Sequence, residues 1–280
     1  IWDTEMVDAG NDAVGPQKGD PDDIIQELQG LRHLFVQWKA LPTNVNKNYQ
    51  IDATWQTQYA LKYYDDGALL YEYWGDQGST AKDPVDYNNE GLDDTIPVPE
   101  KDGTDDLRYA FIGWDNLPTN IQKTATINAV WTFVYPVRFY ATESSATPHY
   151  VQWVKDGESA YDPVEAGECI APSDIVTEDT TYVFSHWDNI PANVTAITEV
   201  YAEYSPFWAV RFYNGYILED IQWVANGHSA VEPVKSGRIV TPTRESTAKY
   251  DYTFSGWDGD YANVTEARKI MAIYSATIRK

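Results

Sequence analysis

Cysteine is nearly missing from this sequence: Cys169 is the one copy in 280 residues. A single thiol excludes an internal disulfide and any Cys/His metal cluster of the zinc type. Methionine is almost as scarce, with two copies. Basic residues are few, and 20 Lys and Arg against 43 Asp and Glu leave a net charge of −23. Such a chain repels nucleic acid and anionic membranes, so neither is expected as a partner. No apolar run approaches the roughly 18 residues of a membrane-spanning helix, and no membrane insertion is expected. No signal peptide is visible. The first residue is Ile1, not Met, so the chain is expected to be a mature or excised piece. What it has in abundance is rings: 11 Trp and 21 Tyr, within a composition 43% hydrophobic. Disordered chains are poorer in both, so this one folds.

The rings recur in order. FVQWKALPTNVN starts at Phe35, FIGWDNLPTNIQ at Phe111, FSHWDNIPANVT at Phe184 and FSGWDGDYANVT at Phe254. Their tryptophans, Trp38, Trp114, Trp187 and Trp257, lie 76, 73 and 70 residues apart. Six residues after each comes Asn44, Asn120, Asn193 or Asn263. Fifteen after each comes Ala53, Ala129, Ala202 or Ala272, the centre of an alternating triplet such as Ile127-Ala129-Trp131 or Val200-Ala202-Tyr204. A second phrase, W-x3-G-x2-A-x2-P, is spelled by Trp74-Gly78-Ala81-Pro84, Trp153-Gly157-Ala160-Pro163 and Trp223-Gly227-Ala230-Pro233. Met6, Gly10, Ala13 and Pro16 keep the same intervals. The chain therefore reads as tandem repeats. The expected division is a truncated unit at 1–58 and complete units at 59–134, 135–205 and 206–280.

Each complete unit reads as four strands. The first is the LKYY or VRFY run, with hairpin dipeptides Asp66-Gly67 and Asn214-Gly215. The second is of the YVQWV type and ends at the Gly. A Pro-containing crossing follows, which belongs to edges or loops because Pro cannot donate to a ladder. The third is the YxFxxW run, and the fourth is the triplet, whose period of two marks a half-buried strand. One short helix is expected in the first unit, with Asp20-Pro21 as its start and Ile24, Ile25, Leu28 and Leu31 on one face. In the second unit, the acidic stretch DYNNEGLDD (86–94) is extra and reads as an exposed loop insertion. A domain of about 70 residues without disulfides has a thin core, and aromatics are its route to more burial. The repeated Trp is expected to pack beside the small Ala of the fourth strand. Short joints that include Pro136 and Pro206, without Gly/Ser spacers, favour a semi-rigid array.

These motifs together resemble the Listeria–Bacteroides repeat, the internalin B-repeat type found in bacterial surface proteins and in some phage proteins. The carriers are the VRFY strand, V-x-x-G-x-x-A-x-x-P, YxFSGWD and the final A-x-Y strand. The likeness runs in register from about residue 1 to 280 and is clearest in 137–204 and 210–274. It implies small β-grasp-like domains used in tandem; with the short joints, the expected fold is a mainly β chain of such repeats set as beads in an elongated rod. It implies no catalytic residues and no cofactor. His186 departs from the pattern, because Gly113 and Gly256 hold its place in the other two clear copies.

Chemistry is sparse. His33, His149, His186 and His228 occupy unlike places in the repeat. No GxSxG, P-loop, GxGxxG or HExxH is present. The carboxylate pairs Asp22-Asp23, Asp65-Asp66, Asp93-Asp94 and Asp105-Asp106 lack the order of a calcium loop, and no metal site is expected. Asn193 and Asn263 begin formal glycosylation sequons at the repeat's turn. Trp74, Trp153 and Trp223 share one repeat position. If they face outward they form a row able to stack on sugars; otherwise they belong to the core or to packing between repeats. The expected function is a non-enzymatic, extracellular stalk or spacer on a bacterial surface, with weak contact to a host or bacterial glycan or protein. The alternative is a phage capsid decoration or tail appendage, with other virion proteins as partners.

Overall fold

The computed structural model describes residues 6–13, 25–85 and 96–280. The acidic stretch at 86–94 and the carboxylates at 22–23 and 93–94 lie outside them, as does the start of the expected helix. Among the described residues all regular structure is strand. In chain order the strands are β1 (Ile25–Leu28), β2 (Leu31–Trp38), β3 (Ala53–Asp65), β4 (Ala68–Asp76), β5 (Arg108–Trp114), β6 (Ala125–Tyr140), β7 (Tyr150–Lys155), β8 (Ile175–Val176), β9 (Thr180–Trp187), β10 (Thr198–Asn214), β11 (Ile217–Ala225), β12 (Tyr250–Asp258) and β13 (Arg268–Ile278). They fall into two compact units, residues 1–133 and 134–280.

In the first unit, the helix expected over Ile25, Leu28 and Leu31 is instead the β1–β2 hairpin. Leu28 faces Leu31 across it. Gln29 and Gly30 carry φ of 51° and 81°, the positive pair that a two-residue type I′ turn requires. The i, i+3, i+4 spacing of the leucines imitated a helical face, and the turn chemistry overrode it. The hairpin lies against β3, where the Ala60 amide donates to the Gly30 carbonyl at 2.8 Å. A Cβ on Gly30 would stand 2.7 Å from Thr124 Cγ2. β3 also pairs antiparallel with β4 and parallel with the first part of β6, matching Leu61–Tyr64 to Ala125–Asn128. Beneath these strands Leu61, Tyr63, Ala81, Ile121 and Ile127 form a buried core.

The second unit repeats that arrangement twice. The later part of β6 runs parallel to the start of β10, Val137–Tyr140 against Thr198–Tyr201, and is flanked by antiparallel β7 and β9. The later part of β10 runs parallel to β13, Val210–Tyr213 against Arg268–Met271, and is flanked by β11 and β12. One core gathers Val137, Phe139, Val154, Trp187, Val194 and Val200. The other gathers Val210, Phe212, Val224, Ala230, Val264 and Ile270. β10 serves both, without a break at Pro206. That proline faces Tyr182, and its carbonyl still accepts from the Asn226 amide. Asp179, in the turn before β9, secures the join. Its carbonyl takes the Ala209 amide at 3.0 Å, and its carboxylate takes Arg211 Nη1 at 2.6 Å.

The third strand must bring a Phe and a Trp three residues apart to one face, which a regular strand forbids. A β-bulge resolves this. Val36, Ser185 and Ser255 drop out of register, and Phe and Trp then share a side. Phe35–Trp38, Phe111–Trp114, Phe184–Trp187 and Phe254–Trp257 have ring centroids 5.2, 5.1, 5.3 and 5.3 Å apart. Gly113 and Gly256 sit in this bend at φ 132° and 140°. His186 takes the same place with an ordinary φ, so the bend does not demand glycine. As expected, Trp38, Trp187 and Trp257 lie opposite Ala53, Ala202 and Ala272. Truncating Trp187, which is 3% exposed, to alanine is expected to lower unfolding free energy by about 3–5 kcal/mol in urea denaturation. Gly256→Ala meets no atom within 4 Å, so its expected cost is about 1–2 kcal/mol of backbone strain alone. His186→Ala is expected to be neutral in the same assay.

Candidate functional site

The two repeated phrases bind each other. The Gly78, Gly157 and Gly227 amides each donate at 2.8 Å to the carbonyls of Ile121, Val194 and Val264. Those residues return bonds to Ser79, Glu158 and His228. The Ala81, Ala160 and Ala230 amides reach Pro118, Pro191 and Tyr261. In the first unit Gly10, Val45 and Ala13 form the same set. This clasp closes the open side of each core, and it buries Ile121, Val194 and Val264 completely. It accounts for the fixed intervals without a ligand.

The residue before each repeated tryptophan of the second strand braces the crossing. Tyr73 Oη accepts from the Lys82 amide at 2.6 Å, Gln152 Oε1 from Tyr161 at 3.2 Å and Gln222 Oε1 from Val231 at 2.9 Å. Burial, then neighbouring Tyr73, pushes the Tyr63 hydroxyl well above its ordinary value; it donates to the Lys82 carbonyl. The acidic residue before the proline takes the core indole. Trp114 Nε1 donates to Asp83 at 2.8 Å and Trp257 Nε1 to Glu232 at 2.7 Å. In the repeat between them, Trp187 Nε1 is buried without a partner, while Asp162 accepts from the Val164 and Glu165 amides. The sequence carried this signal in Asp83-Pro84, Asp162-Pro163 and Glu232-Pro233. A threonine further along was also missed: Thr104, Thr177 and Thr247 each accept, through Oγ1, the amide of the residue three later.

Trp74, Trp153 and Trp223 follow from strand alternation. In β7 the flanking Gln152 and Val154 are buried, and in β11 so are Gln222 and Val224. Each tryptophan between them therefore points to the other face of its sheet. None belongs to a core cluster. Opposite them on the neighbouring strand stand Ala60, Pro136 and Ala209. Each tryptophan sits on its own repeat. Arg32 covers Trp74, its guanidinium 4.6 Å from the ring centroid. Trp223 is 40% exposed.

Trp223 lies in a shallow, open groove of 460 Å³ whose lining includes Ile221, His228, Ser229, Val231 and Arg238. Asp220 grips Arg238 with two bonds of 2.7 and 2.9 Å. Burial opposes ionisation of Asp220, but bonds from Arg238 and Gln222 outweigh it and hold its carboxyl below the usual value. His228 Nδ1 meets the Asn226 carbonyl, and Ser229 Oγ receives the Asn263 amide. The groove thus offers a ring face and a fixed guanidinium, suited to stacking and hydrogen bonding. Among the described residues no three His, Cys, Asp or Glu stand together as a metal site. Asn193 and Asn263 are exposed at the clasp turn.

No family model matches the sequence, and no curated protein matches it. Among solved structures the chain is similar to the Streptococcal High Identity Repeats in Tandem (SHIRT) domains 3-4 from a cell surface protein, at 18% identity, over 53% of this chain and 99% of that one, with a TM-score of 0.17.

Two outcomes follow. Trp223→Ala should shift unfolding free energy by less than about 1 kcal/mol, since the ring lies outside the core. Asp220 contributes stability that is present above its unfolded pKa of about 4 and is lost as pH falls through its lower folded value. Asp220→Asn should therefore flatten the acid limb of a stability-versus-pH curve relative to the parent chain.

Proposed function

We propose that this chain is a non-enzymatic structural segment of a surface-exposed protein, a spacer built from tandem repeats of the Listeria–Bacteroides type. The observation that carries this reading is the join. In each unit one uninterrupted strand, β3 or β10, ends one repeat and begins the next. A chain selected to hold a fixed spacing needs such joins, whereas independent binding modules tolerate linkers. The β-grasp-like reading is supported by the mixed sheet with first and last strands parallel at its centre. The repeat limits at 1–58, 59–134, 135–205 and 206–280 are part of the proposal; they mark the period, and 58/59, 134/135 and 205/206 all fall inside strands.

The test uses two equivalent, well-exposed positions, Ile170 and Val240. Spin labels on Ile170→Cys and Val240→Cys, in a Cys169→Ser background, should give one narrow distance distribution by pulsed electron spin resonance. A broad distribution would overturn the spacer reading. A second reading, weak glycan contact, is favoured by one observation, the exposed ring of Trp223 beside Arg238. On a glycan array Trp223→Ala should abolish any signal of the parent chain while leaving its far-ultraviolet circular dichroism unchanged. A signal that survives the substitution removes this groove from consideration.

A further inference from the structure

The first and last strands of each complete repeat are neighbours, and they are parallel. Three times the contact spans four residue pairs: Leu61–Tyr64 with Ala125–Asn128, Val137–Tyr140 with Thr198–Tyr201, and Val210–Tyr213 with Arg268–Met271. The chain enters a repeat through one of these strands and leaves through the other. A pull on the two chain ends therefore drags the entering strand backward and the leaving strand forward along one shared axis. Such sliding loads every hydrogen bond of the contact together. A pull that parts adjacent strand ends breaks the same bonds one after another.

We infer that this parallel contact is a shear clamp, and that carrying tension along the chain is the work the repeats do. Three further observations support it. Each clamp is shielded, because Tyr63 faces Ile127, Phe139 faces Val200 and Phe212 faces Ile270, and all six are buried. Water then cannot readily replace the clamp's bonds as they stretch. Each clamp is flanked on its outer side by an antiparallel strand, β4, β7 or β11. The joins also lack slack. Within the second unit, β10 contributes Thr198–Tyr201 to one clamp and Val210–Tyr213 to the next, and the residues between them are already extended strand at about 3.3 Å each. Load leaving one clamp therefore reaches the next without first straightening a linker.

The inference deepens the spacer reading by naming what the spacer transmits, yet its test is separate from label distances and stands or falls on force alone. The full chain is stretched in single-molecule force spectroscopy in two geometries. The first pulls through terminal tags. The second pulls through Tyr216→Cys, at the fully exposed β10–β11 turn, and Ile273→Cys, 45% exposed just past the β13 end of the same clamp, in a Cys169→Ser background. That pair parts neighbouring strand ends instead of sliding them. Full extension of one repeat end to end releases about 70 residues, roughly 250 Å, and parting Tyr216 from Ile273 releases the 57-residue span between them, roughly 200 Å, which identifies each event. End-to-end pulling should need roughly twice the force of the parting geometry, or more, at one loading rate, because forced unfolding reports the barrier met along the pull. Equal or lower force end to end would overturn the clamp. If the Ile273→Cys chain does not fold, Ser275→Cys, exposed on the same strand face, replaces it with the same two outcomes.

Discussion

A tryptophan meets the edge or face of a ring from the first strand in every complete repeat, and the rest of the molecule is arranged to permit it. Trp114 meets Tyr63, Trp187 meets Phe139 and Trp257 meets Phe212, with centroids 5.0, 5.1 and 5.0 Å apart and planes 81°, 72° and 73° from parallel. Edge-to-face pairs at this separation contribute about 0.5–1.5 kcal/mol beyond their burial. A repeat of some 70 residues, with no disulfide, depends on that surplus. The bulge in the third strand exists to aim the tryptophan. The alanine opposite it on the fourth strand leaves room for it. The glycine–alanine clasp closes over what remains, and the acid before the proline satisfies the indole in two copies of three.

Much of this was legible in the residues. Fixed intervals exposed the repeat, period two exposed the strands, and Asp66-Gly67 named its own turn, whose φ values are both positive. Asn214-Gly215 was off by one, since Asn214 faces Ile217 and the turn residues are Gly215 and Tyr216. Three features were not legible, each for a physical reason. The β1–β2 hairpin hid because leucines across a tight turn fall at helical spacing. The unbroken strands hid because a proline reads as a stop, although its carbonyl still accepts and a ladder tolerates it where no donor is needed. The bracing by Tyr73, Gln152 and Gln222 hid because unlike side chains perform one task, and a motif search looks for like ones.

The outward tryptophans show the limit of periodicity as a guide to role. Trp153 and Trp187 both recur once per repeat, yet Trp187 is core and Trp153 faces away from it. What separates them is the parity of their strand position relative to buried neighbours, together with a bulge before one and none before the other. The last copy of the period also differs in charge from the one before it. Arg238 and His228 stand where Glu168 and Glu158 stood one period earlier. On a chain with a net charge of −23, that exchange makes one groove chemically unlike its copies while the frame beneath it stays the same.

Because β10 belongs to two cores at once, the period has no privileged starting point. A gene duplication or loss that moves one whole period restores every ring to its partner wherever the breakpoints fall, even in the middle of a strand. Lineages can therefore lengthen or shorten the array freely in steps of one period, whereas a change of any other size would leave a half-strand with nothing to lie beside.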